Sequence, residues 1–259
     1  MLQVLVLLLP LGILAGLLSG LLGIGGGLVF SPLLLLLGLS PHQALATSTL
    51  AIVPTTAGGS WEHLRNGRLP WRSALAIGTG ALLFGLLFGH LGSLLTGWQL
   101  LGLQAGMYGL LSLTISPRGQ QQDLPIAQLP QPLLGLLAVG AVAGLAGGML
   151  GVGGGLVMVP LMVSLLRLPI HHAIRLSTFA VCCASSGAGL LFLHSGRGQL
   201  LTALVLGLTA AVAARWSASR LQGVAPQRLA WMLRLLTILL ALDSGRRALM
   251  LLFQAGGTG

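Results

Sequence analysis

The chain has 259 residues, of which 55% are hydrophobic and only 6% are charged. A soluble domain carries about 25% charged residues, so this composition excludes a soluble globular protein and predicts an integral membrane protein. The formal net charge of +10 comes from 13 basic residues, all arginine, and three acids. Because most arginines fall in short connections between apolar runs, they indicate membrane topology rather than nucleic-acid binding.

Apolar segments follow one another along the chain and predict an all-α polytopic membrane protein. Two of them, at 28–38 and 156–166, hold only about a dozen residues each. A helix of that length measures about 18 Å, whereas the hydrocarbon core is about 30 Å thick. We therefore expect about eight full transmembrane helices plus two short, broken segments after glycine-rich stretches. The long segments lie at 2–22, 43–61, 72–92, 98–115, 133–150, 172–193, 199–216 and 229–250.

The two halves of the sequence resemble each other. At an offset of 128 residues, glycines and prolines of the first half fall on glycines and prolines of the second, and after one inserted residue serines and threonines do the same. Matched positions include Gly25 with Gly153, Pro32 with Pro160, Ser48 with Ser177 and Thr49 with Thr178. We therefore expect two homologous halves: a first membrane repeat at 1–116, a polar, proline-rich linker at 117–132 and a second membrane repeat at 133–259.

The short segments determine how the two repeats are oriented. If they do not cross the bilayer, each half has four crossings, the repeats are parallel, and seven arginines face six across the membrane. If they cross with the help of the glycine stretch before them, the repeats are inverted, and ten arginines face three. Because cytoplasmic loops carry an excess of arginine, the counts favour inverted repeats with both termini outside the cytoplasm.

Two glycine-rich stretches directly precede the short segments. Glycine destabilises a helix, and irregular backbone at membrane depth is tolerated only where protein or a water-filled cavity surrounds it. The free amides and positive dipole end of the following short helix predict an anion site, with a tight, closely packed turn as the alternative. The candidate substrate-binding glycines are Gly23, Gly25, Gly26, Gly27, Gly151, Gly153, Gly154 and Gly155.

Hydroxyl and basic side chains follow each short segment. Ser48 and Thr49, with their counterparts Ser177 and Thr178, are neutral donors suited to an oxyanion, or they bond back to the preceding helical turn. Arg175, whose counterpart in the first half is neutral, either pairs with a substrate anion or extends to the membrane interface.

Further residues receive structural interpretations. Glycines spaced four apart, at 12, 16 and 20 and again at 140, 144 and 148, predict close helix packing between the halves. Glu62 is expected to pair with Arg65, and Asp243 with Arg246 or Arg247. The histidines that follow the prolines, such as His42 and His171, are either interfacial residues or proton relays. The candidate histidines, acids and ladder glycines all lie in or beside predicted helices.

The paired motifs “GLLGIGGGLVFSPLL…ALATST” and “GMLGVGGGLVMVPLM…AIRLST”, each followed by a Gly-Arg turn, resemble the TauE/SafE family of membrane permeases. These are also called sulfite exporter or toluene-sulfonate uptake permeases, and the resemblance covers nearly the whole chain. It implies a multi-pass inner-membrane transporter of small sulfur-containing anions such as sulfite, thiosulfate or a sulfonate. It also assigns the family's glycine and hydroxyl positions to the candidates above.

We therefore expect a permease that works by alternating access, with a passive anion channel or a membrane scaffold as the alternative. The expected partners are a small anionic substrate and the lipid bilayer, without nucleic acid. An intramembrane enzyme would need paired aspartates, a His–Glu metal motif or a Ser/His pair within the bilayer. The sequence contains no HExxH motif and only one aspartate near a membrane segment, so we expect no catalytic residues, no metal and no cofactor.

Overall fold

The computed structural model describes residues 2–67, 69–92, 94–114, 132–150, 153–194, 196 and 198–256. Candidate residue Gly151 and nearly all of the linker predicted at 117–132 lie outside these ranges. The described residues form ten α-helices and one 3-10 helix, Leu221–Gly223. The α-helices are α1 (Leu2–Leu22), α2 (Gly27–Leu36), α3 (Pro41–Arg65), α4 (Trp71–Gly92), α5 (Gly97–Thr114), α6 (Leu133–Leu150), α7 (Gly155–Ser164), α8 (Ile170–His194), α9 (Leu200–Ser219) and α10 (Pro226–Gly256).

Helix lengths separate into two groups. Within the described ranges, eight helices have 18 or more residues, and α2 and α7 have 10 each. Both short helices directly follow a glycine-rich stretch, as the sequence predicts. Three of the described helices are long and apolar enough to cross a membrane, namely Trp71–Leu91, Ile170–His194 and Leu200–Ser219. The all-helical fold class with two short helices is therefore confirmed.

Polar and apolar side chains are distributed as lipid surroundings require. Large apolar side chains cover the outside of the bundle, and Leu134 and Leu113 are 85% and 81% exposed. Small hydroxyl side chains lie in the interior, where helices supply hydrogen-bond acceptors. Buried examples on α3 and α8 are Thr47, Ser48, Thr49, Thr55, Thr56, Ser177, Thr178 and Ser185.

The first glycine ladder packs α1 against α9. A Cβ atom added to Gly16 would collide with the carbonyl oxygen of Ala210, and one added to Gly12 would lie 3.2 Å from the carbonyl oxygen of Leu206. Contacts advance in the same direction along both helices, so α1 and α9 run parallel. Only glycine lets two helix backbones approach this closely.

The second glycine ladder packs α6 against α4 in the same way. A Cβ atom on Gly140 would collide with the carbonyl oxygen of Ile77, and one on Gly148 would lie 2.6 Å from the carbonyl oxygen of Gly85. These two helices also run parallel. Each ladder therefore joins a helix before the linker to one after it, and the packing predicted between the halves is confirmed.

At the centre of the bundle, α3 and α8 cross in opposite directions. A Cβ atom on Gly59, late in α3, would lie 3.0 Å from Cγ2 of Thr178, early in α8. Conversely, a Cβ atom on Gly189, late in α8, would lie 3.4 Å from Cδ2 of Leu50, early in α3. Helix α4 runs parallel to α8, since Gly78 and Gly89 of α4 face Phe179 and Leu191 in turn, and α9 runs parallel to α3, since Gly207 and Ala211 of α9 face Pro54 and Gly58 in turn. Because α1 runs parallel to α9 and α6 runs parallel to α4, α1 and α6 run in opposite directions.

Candidate functional site

The glycine-rich stretches adopt a backbone that other residues disfavour. The φ angles of Gly25 and Gly26 are 81° and 79°, and those of Gly153 and Gly154 are 79° and 72°. In this left-handed region a Cβ atom clashes with the backbone, so glycine is the residue of choice. Gly26 and Gly154 are the N-caps of α2 and α7, whose first residues are Gly27 and Gly155. Each stretch thus starts a short helix in the buried interior.

The stretches from the two halves touch each other. A Cβ atom on Gly155 would collide with the carbonyl oxygen of Gly23 and lie 2.8 Å from Cα of Ile24. The hydroxyl of Ser177 donates a hydrogen bond of 2.7 Å to the same carbonyl of Gly23, and its oxygen lies 3.4 Å from the carbonyl oxygen of Gly155. The predicted glycines of both halves and one predicted hydroxyl therefore meet at one buried point.

Two apolar side chains, Ile52 and Val181, lie against both stretches. A Cβ atom on Gly25 would lie 2.6 Å from Cγ1 of Val181 and 3.0 Å from Cγ2 of Ile52. A Cβ atom on Gly153 would lie 2.8 Å from the same Cγ1 of Val181 and 3.4 Å from Cδ1 of Ile52. The sequence interpretation missed both, since apolar residues in apolar helices carry no local signal. They are 129 residues apart, which is the offset of the repeat after its one inserted residue, so a search for matched positions could have identified them.

Three of the four predicted hydroxyls bond to their own helix. Thr49 donates to the carbonyl oxygen of Leu45 at 2.8 Å, and Ser48 to the same oxygen at 3.0 Å. Thr178 donates to the carbonyl oxygen of Ile174 at 2.8 Å. This is the local arrangement that the sequence left open as the alternative. In this conformation these hydroxyls offer lone pairs, rather than protons, to other groups.

Arg175 lies on α8 with its side chain buried, at 3% exposure. Its Nη1 atom lies 3.5 Å from Nδ1 of His172. One turn further along α8, the ring of Phe179 meets that of Trp71 of α4 edge to face, with centroids 6.3 Å apart. The guanidinium is thus a buried positive charge within the bundle.

The two matched histidines have matched contacts. Nε2 of His42 lies 2.9 Å from the carbonyl oxygen of Leu95, between α4 and α5. Nε2 of His171 lies 3.0 Å from the carbonyl oxygen of Val224, between α9 and α10. Each histidine therefore holds the start of a central helix to a connection further along the chain, provided that Nε2 carries the proton.

Both acids within the described ranges form ion pairs: Glu62 lies in the last turn of α3, whereas Asp243 lies in the middle of α10 and not, as the sequence suggested, near a helix end. Asp243 contacts Arg247 at 2.9 Å and Arg246 at 3.3 Å, which confirms the prediction for this residue. Glu62 pairs with Arg215 of α9 at 3.3 Å, so the prediction of Arg65 as its partner was wrong. Packing of α3 on α9 brings Arg215 to Glu62, and this contact cannot be predicted from local sequence spacing because the two residues are 153 positions apart.

Comparison with known proteins identifies the family. The family model described as “Sulfite exporter TauE/SafE” matches residues 8–244. The chain belongs to this family. Its TauE/SafE relatives include a “Probable membrane transporter protein” of Xylella fastidiosa, 36% identical over 179 residues that cover 66% of this chain and 67% of the relative. YunE of Bacillus subtilis, also named a probable membrane transporter protein, is 28% identical over 229 residues, 78% of this chain and 82% of the relative.

A shorter match extends to plants. “Sulfite exporter TauE/SafE family protein 3” of Arabidopsis thaliana is 41% identical over 64 residues, which are 25% of this chain and 13% of that protein. No solved structure matches the chain significantly. The TauE/SafE family is a transporter family and not an enzyme family. The protein is accordingly a multi-pass membrane transporter, and the resemblance seen in the sequence motifs is confirmed.

Proposed function

We propose that this TauE/SafE protein carries a small sulfur-containing oxyanion, such as sulfite, thiosulfate or a sulfonate, across the inner membrane by alternating access. The observation that carries the proposal is the junction of the two glycine stretches at Gly23, Gly155 and Ser177. The family description, which names sulfite export, supports the substrate class. Halves that meet at a buried midpoint are the arrangement in which transporters bind their substrates.

The chemistry of this junction suits an anion. Helices α2 and α7 both begin there, and their first amides carry the positive ends of two helix dipoles. No side chain on the glycines obstructs approach to those amides. The binding residues that we propose are Gly23, Gly25, Gly26, Gly27, Gly151, Gly153, Gly154 and Gly155, the hydroxyls of Ser48, Thr49, Ser177 and Thr178, and the positive charge of Arg175. To bind the anion, each of these hydroxyls turns its proton from a backbone carbonyl to an oxygen of the substrate.

Ile52 and Val181 supply the gate in this mechanism. Both side chains pack on both glycine stretches, so they shield the amides in the conformation described. Separation of α3 from α8 on one face of the bundle would uncover the stretches from that face only. Closure there and separation on the opposite face would complete one transport step.

Inverted repeats, at 1–116 and 133–259 with a linker at 117–132, make such a two-faced motion possible. This proposal is supported by the opposite directions of α1 and α6, and by the antiparallel crossing of α3 and α8. The arginine count of ten against three supports it as well, and on this count we propose that the arginine-rich face lies in the cytoplasm.

The proposed function is tested with purified protein in lipid vesicles. We expect saturable uptake of labelled sulfite that thiosulfate or methanesulfonate inhibits by competition. Thr178→Val keeps the shape of the side chain but removes the hydroxyl, so we expect a higher KM with normal folding. The matched control is Thr79→Val, because Thr79 makes the same bond to its own helix on the exposed face of α4. Absence of transport for every sulfur oxyanion tested would contradict the proposal.

A further inference from the structure

Two buried hydroxyls near the first glycine stretch lack the hydrogen bond that neighbouring threonines make. Thr49, Thr56 and Thr178 all donate to the preceding turn of their own helix. Ser19 of α1 and Ser60 of α3 are 0% and 5% exposed, and among the described residues their Oγ atoms have no hydrogen-bond partner. A buried hydroxyl without a partner lowers stability, and a bound ligand that accepts its hydrogen bond would remove that cost.

Ser19 lies on the face of α1 that contacts the first glycine stretch. One turn before it, the carbonyl oxygen of Ala15 lies 3.6 Å from the position of a Cβ atom on Gly26. The carbonyl oxygen of Ser19 itself accepts a hydrogen bond of 2.8 Å from the amide of Gly23. Residues four apart share a helix face, so Ser19 lies on the side of α1 that is next to the same stretch.

Ser60 lies on the face of α3 that contacts the same stretch. One turn before it, Cγ2 of Thr56 lies 3.3 Å from the position of a Cβ atom on Gly25. The neighbouring residue, Gly59, faces Thr178 of α8. Ser19 and Ser60 therefore flank the first glycine stretch from two different helices.

The second half has no hydroxyl at the two matching positions, although Ser185 of α8 is likewise buried without a hydrogen-bond partner among the described residues. The positions that correspond to Ser19 and Ser60 in the repeat are Gly147 and Gly189. A Cβ atom on Gly147 would lie only 3.0 Å from the carbonyl carbon of Gly153, so a serine there would be crowded by the backbone.

The helix that packs beside each stretch also approaches it differently in the two halves. A Cβ atom on Gly154 would collide with the carbonyl oxygen of Ala143 on α6. The corresponding distance in the first half, between Gly26 and the carbonyl oxygen of Ala15, is 3.6 Å. Helix α6 thus closes tightly on the second stretch, whereas α1 lies further from the first, and the ring of Phe30 lies beside Gly26 with Cε2 3.0 Å from the same Cβ position.

We propose that Ser19 and Ser60 form a hydroxyl subsite that donates hydrogen bonds to two oxygens of the transported oxyanion at the first glycine stretch. The inference rests on the proposed function and deepens it, since it makes the binding site asymmetric between the halves. The subsite lies toward the end of the bundle that carries Glu62 and Arg215, and it favours a ligand with several oxygen acceptors over a spherical anion such as chloride.

The test compares Ser19→Ala and Ser60→Ala with a control, Ser186→Ala, whose hydroxyl bonds to the carbonyl oxygen of Cys182 at 2.7 Å. Binding of methanesulfonate to purified protein in lipid vesicles, and uptake of labelled sulfite, are measured for each. We expect Kd and KM to rise about tenfold in both test variants, because each loses a hydrogen bond to a charged ligand. Without ligand, the melting temperature of both should be unchanged or higher.

Three results would overturn the inference. Unchanged Kd and KM in both test variants would remove the subsite while leaving the proposed function intact. A melting temperature lowered by several degrees without ligand, or loss of folded protein, would give the hydroxyls a structural role instead. Wild-type protein that neither binds nor transports any sulfur oxyanion would remove both the subsite and the proposed function.

Discussion

Ser177 donates a hydrogen bond of 2.7 Å to the carbonyl oxygen of Gly23 and so connects α8, after the linker, to the glycine stretch that precedes α2. The bond is fully buried, and the acceptor belongs to a backbone that no regular helix satisfies. This contact therefore helps to hold the two halves together at the proposed binding site.

Ser177→Ala is expected to lower the free energy of unfolding by about 1–3 kcal/mol, because it leaves the buried carbonyl of Gly23 without its donor. Thermal unfolding in detergent measures the change. Ser186→Ala, which removes a hydroxyl bonded within α8, is the control and should cost less. Equal losses of unfolding free energy in the two variants would mean that the hydrogen bond between the halves stabilises the protein no more than a bond within one helix.

Gly25→Ala is expected to destabilise the protein strongly. Its φ of 81° disfavours alanine by about 1–2 kcal/mol, and the new Cβ atom would lie 2.6 Å from Cγ1 of Val181. Adding Val181→Ala should relieve the steric part only. The control Gly102→Ala on α5, where no atom lies within 4 Å, should be neutral or stabilising by up to about 1 kcal/mol. Comparable melting temperatures for Gly25→Ala and Gly102→Ala would contradict this account.

Gly16→Val should prevent α1 from docking on α9, since the side chain would meet the Ala210 backbone, with Cα at 2.8 Å from the new Cβ. The yield of monodisperse protein in size-exclusion chromatography is the measurement. Gly106→Val places the same side chain on α5 with no atom within 4 Å, so its yield should match the wild type. Equal yields of monodisperse protein for the two variants would contradict the role of the first glycine ladder in packing α1 against α9.

Inverted repeats make a topological prediction at the ends of α3 and α8. In a variant with Cys182 and Cys183 replaced by alanine, Asn66→Cys and Gln199→Cys should label from opposite sides of the membrane. A membrane-impermeant maleimide applied to intact cells should react with Gln199→Cys and spare Asn66→Cys. Parallel repeats would place both cysteines on the same side, and equal labelling would therefore exclude the inverted arrangement.

Glu62 and Arg215 should contribute little to stability. The Arg215 side chain is 48% exposed, and pairs of this kind are typically worth less than about 1 kcal/mol. Glu62→Gln and Arg215→Gln should each lower the melting temperature slightly at low salt, and the double variant no further. A difference that persists undiminished in high salt would show that the pair is not screened as an exposed pair is.

Sequence alone was sufficient for the elements of the fold. The short segments predicted at 28–38 and 156–166 are α2, Gly27–Leu36, and α7, Gly155–Ser164. Length, hydropathy and glycine content are local properties, and they determine where a helix forms and where it breaks. The error at Glu62 has the opposite cause, because Arg215 approaches it only after α3 has packed on α9.

The sequence by itself determined that the chain is a membrane protein, that its motifs occur twice and that glycine interrupts its helices at matched places. Only the tertiary structure decided which helices pair. It brought Gly23 against Gly155 and put Ile52 and Val181 over both stretches, and it left Ser19 and Ser60 buried without partners among the described residues. Insertion into a bilayer depends on the summed hydrophobicity of each segment, whereas pairing depends on the fit of small residues against backbones distant in sequence.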